Sequence, residues 1–505
     1  MPTIGILVAS SSPPHRIEGV PLSGQRYVHA NWLPKTSRYA VSVAPIHFLT
    51  LTTDFDFSAS QKVLSLPELV LPTIKDLAPR DLHSAALVCH TWSGIALDYL
   101  WETAVSLAPL FNTLAPMRYS GIGFEPSWTF VTDLSQANWP RFHAYARRIR
   151  TVKIYSPRKQ WSRPVSMDSV AIVQVSIPSQ YHLPKPVRLL SYDPLASGSA
   201  GLPLRNFLCT VSSAIKELYV VEDHHISLDF DDAPVQDLYR RFGELETPSL
   251  ESITLKNPLY FSDSPSLPNL IKRHALTISV LTLNLPYKEQ LWAVMQELHN
   301  LKHFSIAFEE FARPQDMVVV LDEMTSGIFP NLETLSVHLQ SANIRVEQQR
   351  IEVFKCIGRL TQLTSLKINS ETPIMPYADQ MWHVGHSLCQ LETLSIDDSP
   401  SPIELGTSRA LISILQSFPH IKRLNTSILC DSVPDTAQAE PHSSLELLDL
   451  SWSPVPTARQ EDVAGFLRSI LPRTARVVHS EEEIWPQMTA VKSVWGQIVR
   501  LMDEV

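Results

Sequence analysis

Glycine is scarce in this sequence, and the motifs that depend on it are missing. Only 15 of the 505 residues are glycine, against 39 prolines. The phosphate-binding loops G-x-x-x-x-G-K-[ST] and G-x-G-x-x-G do not occur, and neither do the hydrolase motif G-x-S-x-G or the zinc-protease motif H-E-x-x-H. We therefore predict that the protein is not an enzyme and binds no cofactor.

Cysteine is also scarce. The five cysteines are Cys89, Cys209, Cys356, Cys389 and Cys430, and no two of them form a C-x-x-C pair. This spacing predicts neither a disulfide framework nor a thiolate zinc site. A reducing compartment fits best, so we expect the protein in the cytoplasm, the nucleus or both.

Long apolar runs are absent. No stretch approaches the ~20 apolar residues that a membrane-spanning helix needs. The first residues, MPTIGILVASSSPPHR, have no basic residue ahead of their apolar run, which is not typical of a secretory signal. We predict no membrane partner.

Excess positive charge is missing too. The formal net charge is -9 and the isoelectric point is near 6.1, which argues against a nucleic-acid partner because phosphate binding needs a basic face. The arginines at 147, 148 and 150 form a cluster too short to reverse this balance. Residues 222–225, Glu-Asp-His-His, contain metal-ligating types, but such clusters are more often solvated loops, and we predict no metal site.

A leucine-rich pattern repeats along much of the chain. The pattern L-x-x-L-x-L recurs every ~23–31 residues, the length of one strand-and-helix unit. The copies span residues 250–255, 278–283, 301–306, 332–337, 363–368, 391–396 and 445–450, with a weaker copy at 421–426. Two earlier copies, at 149–154 and 215–220, place the start of the series near residue 141.

The segments between these copies have helical periodicity, as in Leu291, Val294, Met295 and Leu298. Stacked units of strand, turn and helix share one core, so we predict an α/β fold, an irregular leucine-rich-repeat solenoid with a curved parallel sheet and outer helices. Strand positions between the apolar residues face away from that core and are the predicted target-binding positions. Those singled out are Lys256, Asn284, His338, Lys367, Asn369, Asp397 and Asp449.

A short helical module precedes the repeats. Residues 66–101 read LPELVLPTIKDLAPRDLHSAALVCHTWSGIALDYLW and show three amphipathic segments. Pro67 marks the start of the first helix, Pro79 ends that segment, and Asp81 is the predicted N-cap of the second helix. A unit of this size is near the lower limit for independent folding, so we expect it to associate with a partner.

This module resembles the F-box, and the repeats resemble the leucine-rich repeats often fused to it. The similarity rests on Leu66-Pro67, Asp81-Leu82, Val88-Cys89, Trp92 and Leu100-Trp101. Residues 86–116 and 139–154, ALVCHTWSGIALDYLWETAVSLAPLFNTLAP and WPRFHAYARRIRTVKI, are similar to the large family of F-box proteins of mushroom-forming fungi (basidiomycetes).

The resemblance implies a substrate receptor of a Skp-cullin-F-box ubiquitin ligase. The F-box would dock on a Skp-type adaptor, which links it to a cullin, and the repeats would hold an unidentified target protein for ubiquitylation. The positions implied at or behind the adaptor interface are Leu66, Pro67, Leu69, Ile74, Leu77, Val88 and Trp92. The alternative is a protein-binding repeat scaffold without a ligase, because Pro72 falls inside the first helix and the Leu-Pro-Glu spacing is one residue short.

These readings divide the chain into five regions. We predict a poorly ordered extension over 1–60, an F-box over 61–107, a linker over 108–140, a solenoid over 141–475 and a C-terminal capping helix over 476–505. A Ser/Pro-rich irregular insertion is predicted near 155–210. The asparagine that often follows the third apolar position is missing, so we expect no asparagine ladder between repeats.

Overall fold

In the computed structural model the chain divides into two units, Met1–Ser60 and Gln61–Val505. The described residues are 66–120, 127–154, 164–192, 201–221, 233–256, 266–284, 289–308, 314–325, 329–339, 347–370, 384–398, 406–430, 441–450, 453, 455–478 and 489–503. The predicted N-terminal extension and the Glu-Asp-His-His cluster at 222–225 lie outside these residues.

Helices and strands alternate through most of the second unit. The helices are α1 Pro67–Lys75, α2 Pro79–Ala85, α3 His90–Glu102, α4 Ala108–Phe111, α5 Trp139–Ala146, α6 Met167–Ser176, α7 Gly201–Leu208, α8 Ala233–Gly243, α9 Ser266–His274, α10 Glu289–Met295, α11 Pro314–Glu323, α12 Glu347–Ile357, α13 Ser408–Ser417, α14 Gln460–Ile470 and α15 Thr489–Asp503. The strands are β1 Thr103–Ala104, β2 Met117–Ser120, β3 Ser127–Phe130, β4 Thr151–Ile154, β5 Arg188–Tyr192, β6 Glu217–Val221, β7 Ser252–Lys256, β8 Val280–Asn284, β9 His303–Phe308, β10 Thr334–Leu339, β11 Ser365–Ser370, β12 Thr393–Asp398, β13 Gly406–Thr407, β14 Arg423–Asn425, β15 Ile428–Leu429, β16 Leu447–Asp449 and β17 Arg476–Val478.

In the described part of the chain, thirteen strands form one sheet in which every neighbouring pair is parallel. The order is β1-β4-β5-β6-β7-β8-β9-β10-β11-β12-β14-β16-β17, so each strand lies beside the next repeat's strand. The register aligns the pattern's apolar residues, as in Leu335 beside Leu366 and Leu366 beside Leu394. The predicted α/β solenoid of leucine-rich-repeat type is confirmed by this arrangement.

One hydrophobic core runs between the sheet and the helices. It includes residues from Ala104 to Ile498, and the repeat leucines such as Leu281, Leu394 and Leu448 are fully buried within it. No single repeat could bury both its strand and its helix, so the stacked repeats stabilise one another.

Helices α1, α2 and α3 form the module that precedes the repeats. Val70, Ile74, Leu82, Ala85 and Ala96 make a separate small core. Pro67 occupies the first turn of α1, as predicted, and Pro72 lies inside that helix on its exposed side. The N-cap of α2 is Ala78 rather than Asp81, because the helix already begins at Pro79, whose fixed φ suits a first turn.

The structure differs from the sequence prediction between the module and the first long repeats. The predicted linker 108–140 contains α4 and the β2–β3 hairpin, and its Phe111 is fully buried in the main core. The predicted irregular insertion contains α6, β5 and α7. The buried Asn206 amide pairs with both backbone groups of Val165, accepting from its N–H at 2.6 Å and donating to its C=O at 2.8 Å. The Asn206 side chain thus supplies the hydrogen bonds that the buried backbone of Val165 needs in this proline-rich segment.

The last repeats close the sheet with a strand as well as a helix. Strand β17 pairs with β16 ahead of α15, inside the predicted capping region 476–505. Trp495 of α15 donates its indole N–H to the Ser453 carbonyl at 2.8 Å. Ser453 lies three residues beyond Leu450, where such repeats often have asparagine, and its Oγ accepts the Ile428 N–H at 2.9 Å. A serine therefore makes an inter-repeat hydrogen bond at this point.

Candidate functional site

The helical module exposes large apolar side chains on its surface. Of the eleven large hydrophobic residues that are exposed among the described residues, five lie in 66–88 and are 47–67% accessible. They are Leu66, Leu69, Leu71, Leu87 and Val88. A folded domain gains nothing from this exposure by itself, whereas a partner that covered it would bury substantial apolar area.

The structure places the predicted adaptor-binding residues at different depths. Leu66, Pro67, Leu69 and Val88 are exposed and accessible to a partner. Ile74 is fully buried in the module's core, so it can support an interface but not contact a partner. The remaining two predicted residues, Leu77 and Trp92, are half-buried against the same core. Leu71 and Leu87 were not predicted, although both are leucines on the flanks of amphipathic segments.

The module is joined to the sheet without an intervening loop. Helix α3 ends at Glu102 and the chain continues directly into β1, which pairs with β4. Arg148, from the turn that precedes β4, forms an ion pair with Asp98 and donates to the Gly94 carbonyl at 3.1 Å. These contacts fix α3 against the first repeat.

An aromatic stack supports the same junction. The rings of Trp101 and Tyr145 are 4.6 Å apart and inclined by only 23°, so they pack face to face. Because α3 belongs to the module and Tyr145 to α5, the stack holds the module in one orientation relative to the sheet.

Four of the predicted target-binding positions fall in one row across neighbouring strands. The register places Asn284 beside Ala307, Ala307 beside His338, His338 beside Asn369, and Asn369 beside Asp397. Neighbouring parallel strands are ~4.8 Å apart, so these five positions span roughly 20 Å of sheet. The Lys256 side chain is exposed at the end of β7, the strand next to β8.

A second row runs parallel to the first and consists mainly of hydroxyl side chains. In this row Lys367 lies between Ser336 and Ser395, and Asp449 lies beside Asn425. The alternation along the strands also placed Ser336 and Ser395 on this face, whereas Ser305 was not predicted. The structure brings the predicted polar positions together on one face of the sheet and leaves their apolar neighbours in the core.

Ion pairs link neighbouring repeats where the strands begin. The pairs are Arg188–Glu217 (2.9 Å), Lys216–Glu251 (3.1 Å), Lys302–Glu333 (3.0 Å) and Lys422–Glu392 (2.7 Å). The hydrogen bond to Glu392 raises the pKa of Lys422. Each pair is exposed and screened by solvent, so its contribution to stability is small and its main effect is to neutralise this edge.

His274 and Cys209, two buried or partly buried titratable groups of the repeats, have hydrogen-bond partners within the fold. Burial lowers the pKa of His274, whose Nδ1 accepts the Ser249 N–H at 2.9 Å and whose Nε2 lies 3.1 Å from the Phe242 carbonyl. Burial raises the pKa of the Cys209 thiol to about 12, which is the opposite of an activated nucleophile. Within the described residues no group of three or more metal-ligating side chains is found, and no helix there could cross a membrane.

Comparison with solved structures finds a number of similar chains, and the two reported below are both distant. No family model matches the chain, and no curated protein matches its sequence. A chain of the yeast Rad7 and Elc1 complex is 15% identical, with 67% of this chain and 79% of that chain covered and a TM-score of 0.38. The leucine-rich repeat-containing protein LegL7 of Legionella pneumophila is 14% identical, with 62% and 96% covered and the same TM-score. Scores this low carry no functional argument, and the fold rests on the chain's own strand register.

Proposed function

We propose that this protein is the substrate receptor of a Skp-cullin-F-box ubiquitin ligase. In this proposal α1, α2 and α3 dock on a Skp-type adaptor, the adaptor connects to a cullin, and the sheet face binds a target protein. The protein performs no chemistry itself. Its contribution is proximity, because a bound target is held at high effective concentration near the conjugating enzyme.

The observation that supports the proposal most is the exposed apolar surface of the module. Leu66, Leu69, Leu87 and Val88 are all exposed, although the module holds only a small core of its own. Full burial of an exposed side chain of this kind contributes ~1.5–3 kcal/mol, and these four are already partly covered, so a partner that covered them would gain part of that value from each.

The junction between α3 and β1 would fix a bound target relative to the adaptor. A receptor must hold its target at a defined place relative to the rest of the ligase. The α3–β1 continuity, the Arg148–Asp98 ion pair and the Trp101–Tyr145 stack transmit the module's orientation to the sheet. The rows through His338 and Lys367 would supply the polar face for the target, on which Lys367 is exposed and His338 is half-buried.

Co-purification with a fungal Skp adaptor tests the proposal. We expect the full chain to retain the adaptor, and Leu69→Glu combined with Val88→Glu to lose it. Leu276→Glu is the matched control, since Leu276 is 70% exposed but lies in the repeats, after α9. Circular dichroism establishes that the variants remain folded. Failure of the folded wild-type chain to bind any Skp adaptor would contradict the proposal.

A repeat scaffold without a ligase is the second candidate, and Pro72 is the observation that favours it. Pro72 lies inside α1, where it removes a backbone donor from a helix that would dock on the adaptor. Replacing Pro72 with Ala separates the two functions. A receptor should keep or strengthen adaptor binding in this variant, whereas a scaffold should bind no adaptor in either form.

A further inference from the structure

A cleft of about 740 Å³ lies between the helical module and the first repeat. It is separate from the polar rows of the sheet. Its lining residues are Leu71, Gly94, Ile95, Asp98, Tyr99, Glu102, Arg147, Arg148 and Arg150. The lining therefore combines a partly apolar wall from α1 and α3 with three arginines from the turn between α5 and β4.

The apolar wall is distinct from the surface proposed for the adaptor. Successive residues of a helix are rotated by ~100°, so Leu69 and Leu71 lie on opposite flanks of the buried Val70. Leu71 is 48% exposed and lines the cleft, while Leu69 faces the other way. The cleft can therefore hold a ligand of its own.

Two of the three arginines have no ion-pair partner among the described residues. Arg148 is neutralised by Asp98. Within the described residues, no carboxylate lies within ion-pair distance of the exposed guanidinium groups of Arg147 and Arg150. Glu102 is the remaining acidic group of the lining, so the cleft keeps a net positive charge in a chain whose net charge is -9.

Lysines at the repeat position of Arg150, directly before a strand of the main sheet, are paired with glutamates in the described repeats. The Arg150 carbonyl accepts the N–H groups of Val187 and Arg188, just as the Lys216 carbonyl accepts those of Glu251 and Ser252. Arg150 thus occupies the same repeat position as Lys216, Lys302 and Lys422. Those three lysines are paired with a glutamate of the adjacent repeat, whereas the residue next to Arg150 is Val187.

We propose that this cleft binds an acidic peptide segment of a partner protein. Carboxylates of the segment would pair with Arg147 and Arg150, because a guanidinium presents several N–H donors in the geometry that a carboxylate accepts. An apolar side chain of the segment would contact Leu71, Ile95 and Tyr99. Charge complementarity and the mixed lining together favour such a segment over a purely apolar ligand.

Fluorescence anisotropy with the full chain and no adaptor tests this inference independently of the proposed function. The probe is a short labelled peptide of alternating Asp and Leu, compared with the same peptide carrying Asn in place of Asp. We expect the acidic probe to bind more tightly than the Asn probe, and its binding to weaken as salt is added. Arg147→Gln with Arg150→Gln should weaken its binding about five- to tenfold. Glu102→Gln should strengthen binding, because it removes a like charge.

The matched control is Arg118→Gln with Arg476→Gln, which removes two exposed arginines elsewhere and should leave binding unchanged. Equal affinity of wild-type chain and cleft variant for the acidic probe would overturn the inference. Tighter binding of a single-stranded oligonucleotide than of the acidic probe would also overturn it, because the arginines would then serve a nucleic acid.

Discussion

At the residue scale, a few buried positions depart from the apolar repeat pattern, and each has a specific consequence. Gly385 lies where two neighbouring repeats meet, and a Cβ there would be 2.3 Å from the Ser417 carbonyl oxygen. His274 and Ser453 satisfy backbone groups of adjacent repeats. Ser191, in contrast, is fully buried without a hydrogen-bond partner among the described residues. Repeat stability therefore depends on individual side chains as well as on the leucines.

Gly385→Ala should destabilise the protein. The added methyl group would collide with backbone atoms of Ser417, which cannot move without disturbing the adjacent helix, so we expect a loss of about 1–3 kcal/mol. Gly465→Ala is the control, because nothing lies within 4 Å of its Cβ position and alanine favours helix α14 by ~1 kcal/mol. Thermal unfolding of both variants should give shifts of opposite sign. Equal shifts would refute the close contact.

Two serine-to-alanine changes should also have opposite effects. Ser191 lies between Ile154 and Val220 in a row of buried strand positions, so removal of its unpaired hydroxyl should stabilise the protein by ~1 kcal/mol. Ser453→Ala removes the acceptor of the buried Ile428 N–H and should cost ~1–3 kcal/mol. Denaturant titration of both variants measures the difference. A destabilised Ser191→Ala would mean that its hydroxyl has a partner after all.

Acid should weaken the repeats that contain His274. The pKa of His274 is lowered in the folded state, so the unfolded chain binds a proton at higher pH than the folded chain does. The stability that the neutral imidazole contributes is complete above its unfolded pKa of ~6.5 and is lost as pH falls through the folded value. Melting temperatures measured from pH 8 downward should therefore fall more steeply for the wild type than for His274→Gln. Parallel curves would contradict this role of His274.

At the element scale, the junction between α3 and β1 determines how the module and the sheet are related. Strand β1 has only two residues, yet its pairing with β4 continues the main sheet to the end of α3. The cores of the module and of the repeats are separate, so the two parts are joined by this strand, the Arg148 contacts and the Trp101–Tyr145 stack. Loss of one contact should loosen the junction without unfolding either core.

Arg148→Met tests this view of the junction. Methionine keeps the apolar part of the side chain but removes the ion pair with Asp98 and the hydrogen bond to Gly94. We expect this to lower the stability of the junction by ~1 kcal/mol. We expect faster amide hydrogen exchange in α3 and unchanged exchange in β7–β12. Faster exchange throughout the sheet would show instead that Arg148 stabilises the repeats as a whole.

At the scale of the whole molecule, the sequence predicted the repeated elements better than the irregular ones. The strands with L-x-x-L-x-L were found because three buried apolar residues recur at one register, and even the weak copy at 421–426 forms β14. Strand β5 was missed because Ser191 interrupts its apolar pattern and the proline-rich flanks suggest loops. Strands β1 and β17 are too short to show any periodicity.

The candidate sites were predictable to a similar degree. Alternation along each strand identified the polar positions, but only the register showed that His338, Asn369 and Asp397 are neighbours. Helical periodicity located the module, but only the structure showed that Leu69 is exposed and that Ile74 is buried. The arginine cleft could not be predicted, because it depends on tertiary contacts between α3 and the turn before β4.

The most direct test of adaptor docking is hydrogen exchange of the full chain with and without a fungal Skp adaptor. We expect the adaptor to slow exchange in residues 66–101, chiefly in α1 and the turn between α2 and α3, because the exposed Leu66, Leu69, Leu87 and Val88 would become buried. Exchange in β9–β12 should stay unchanged, leaving the polar face open for a target. Unaltered exchange in residues 66–101 at saturating adaptor, or slowed exchange confined to β9–β12, would contradict the account.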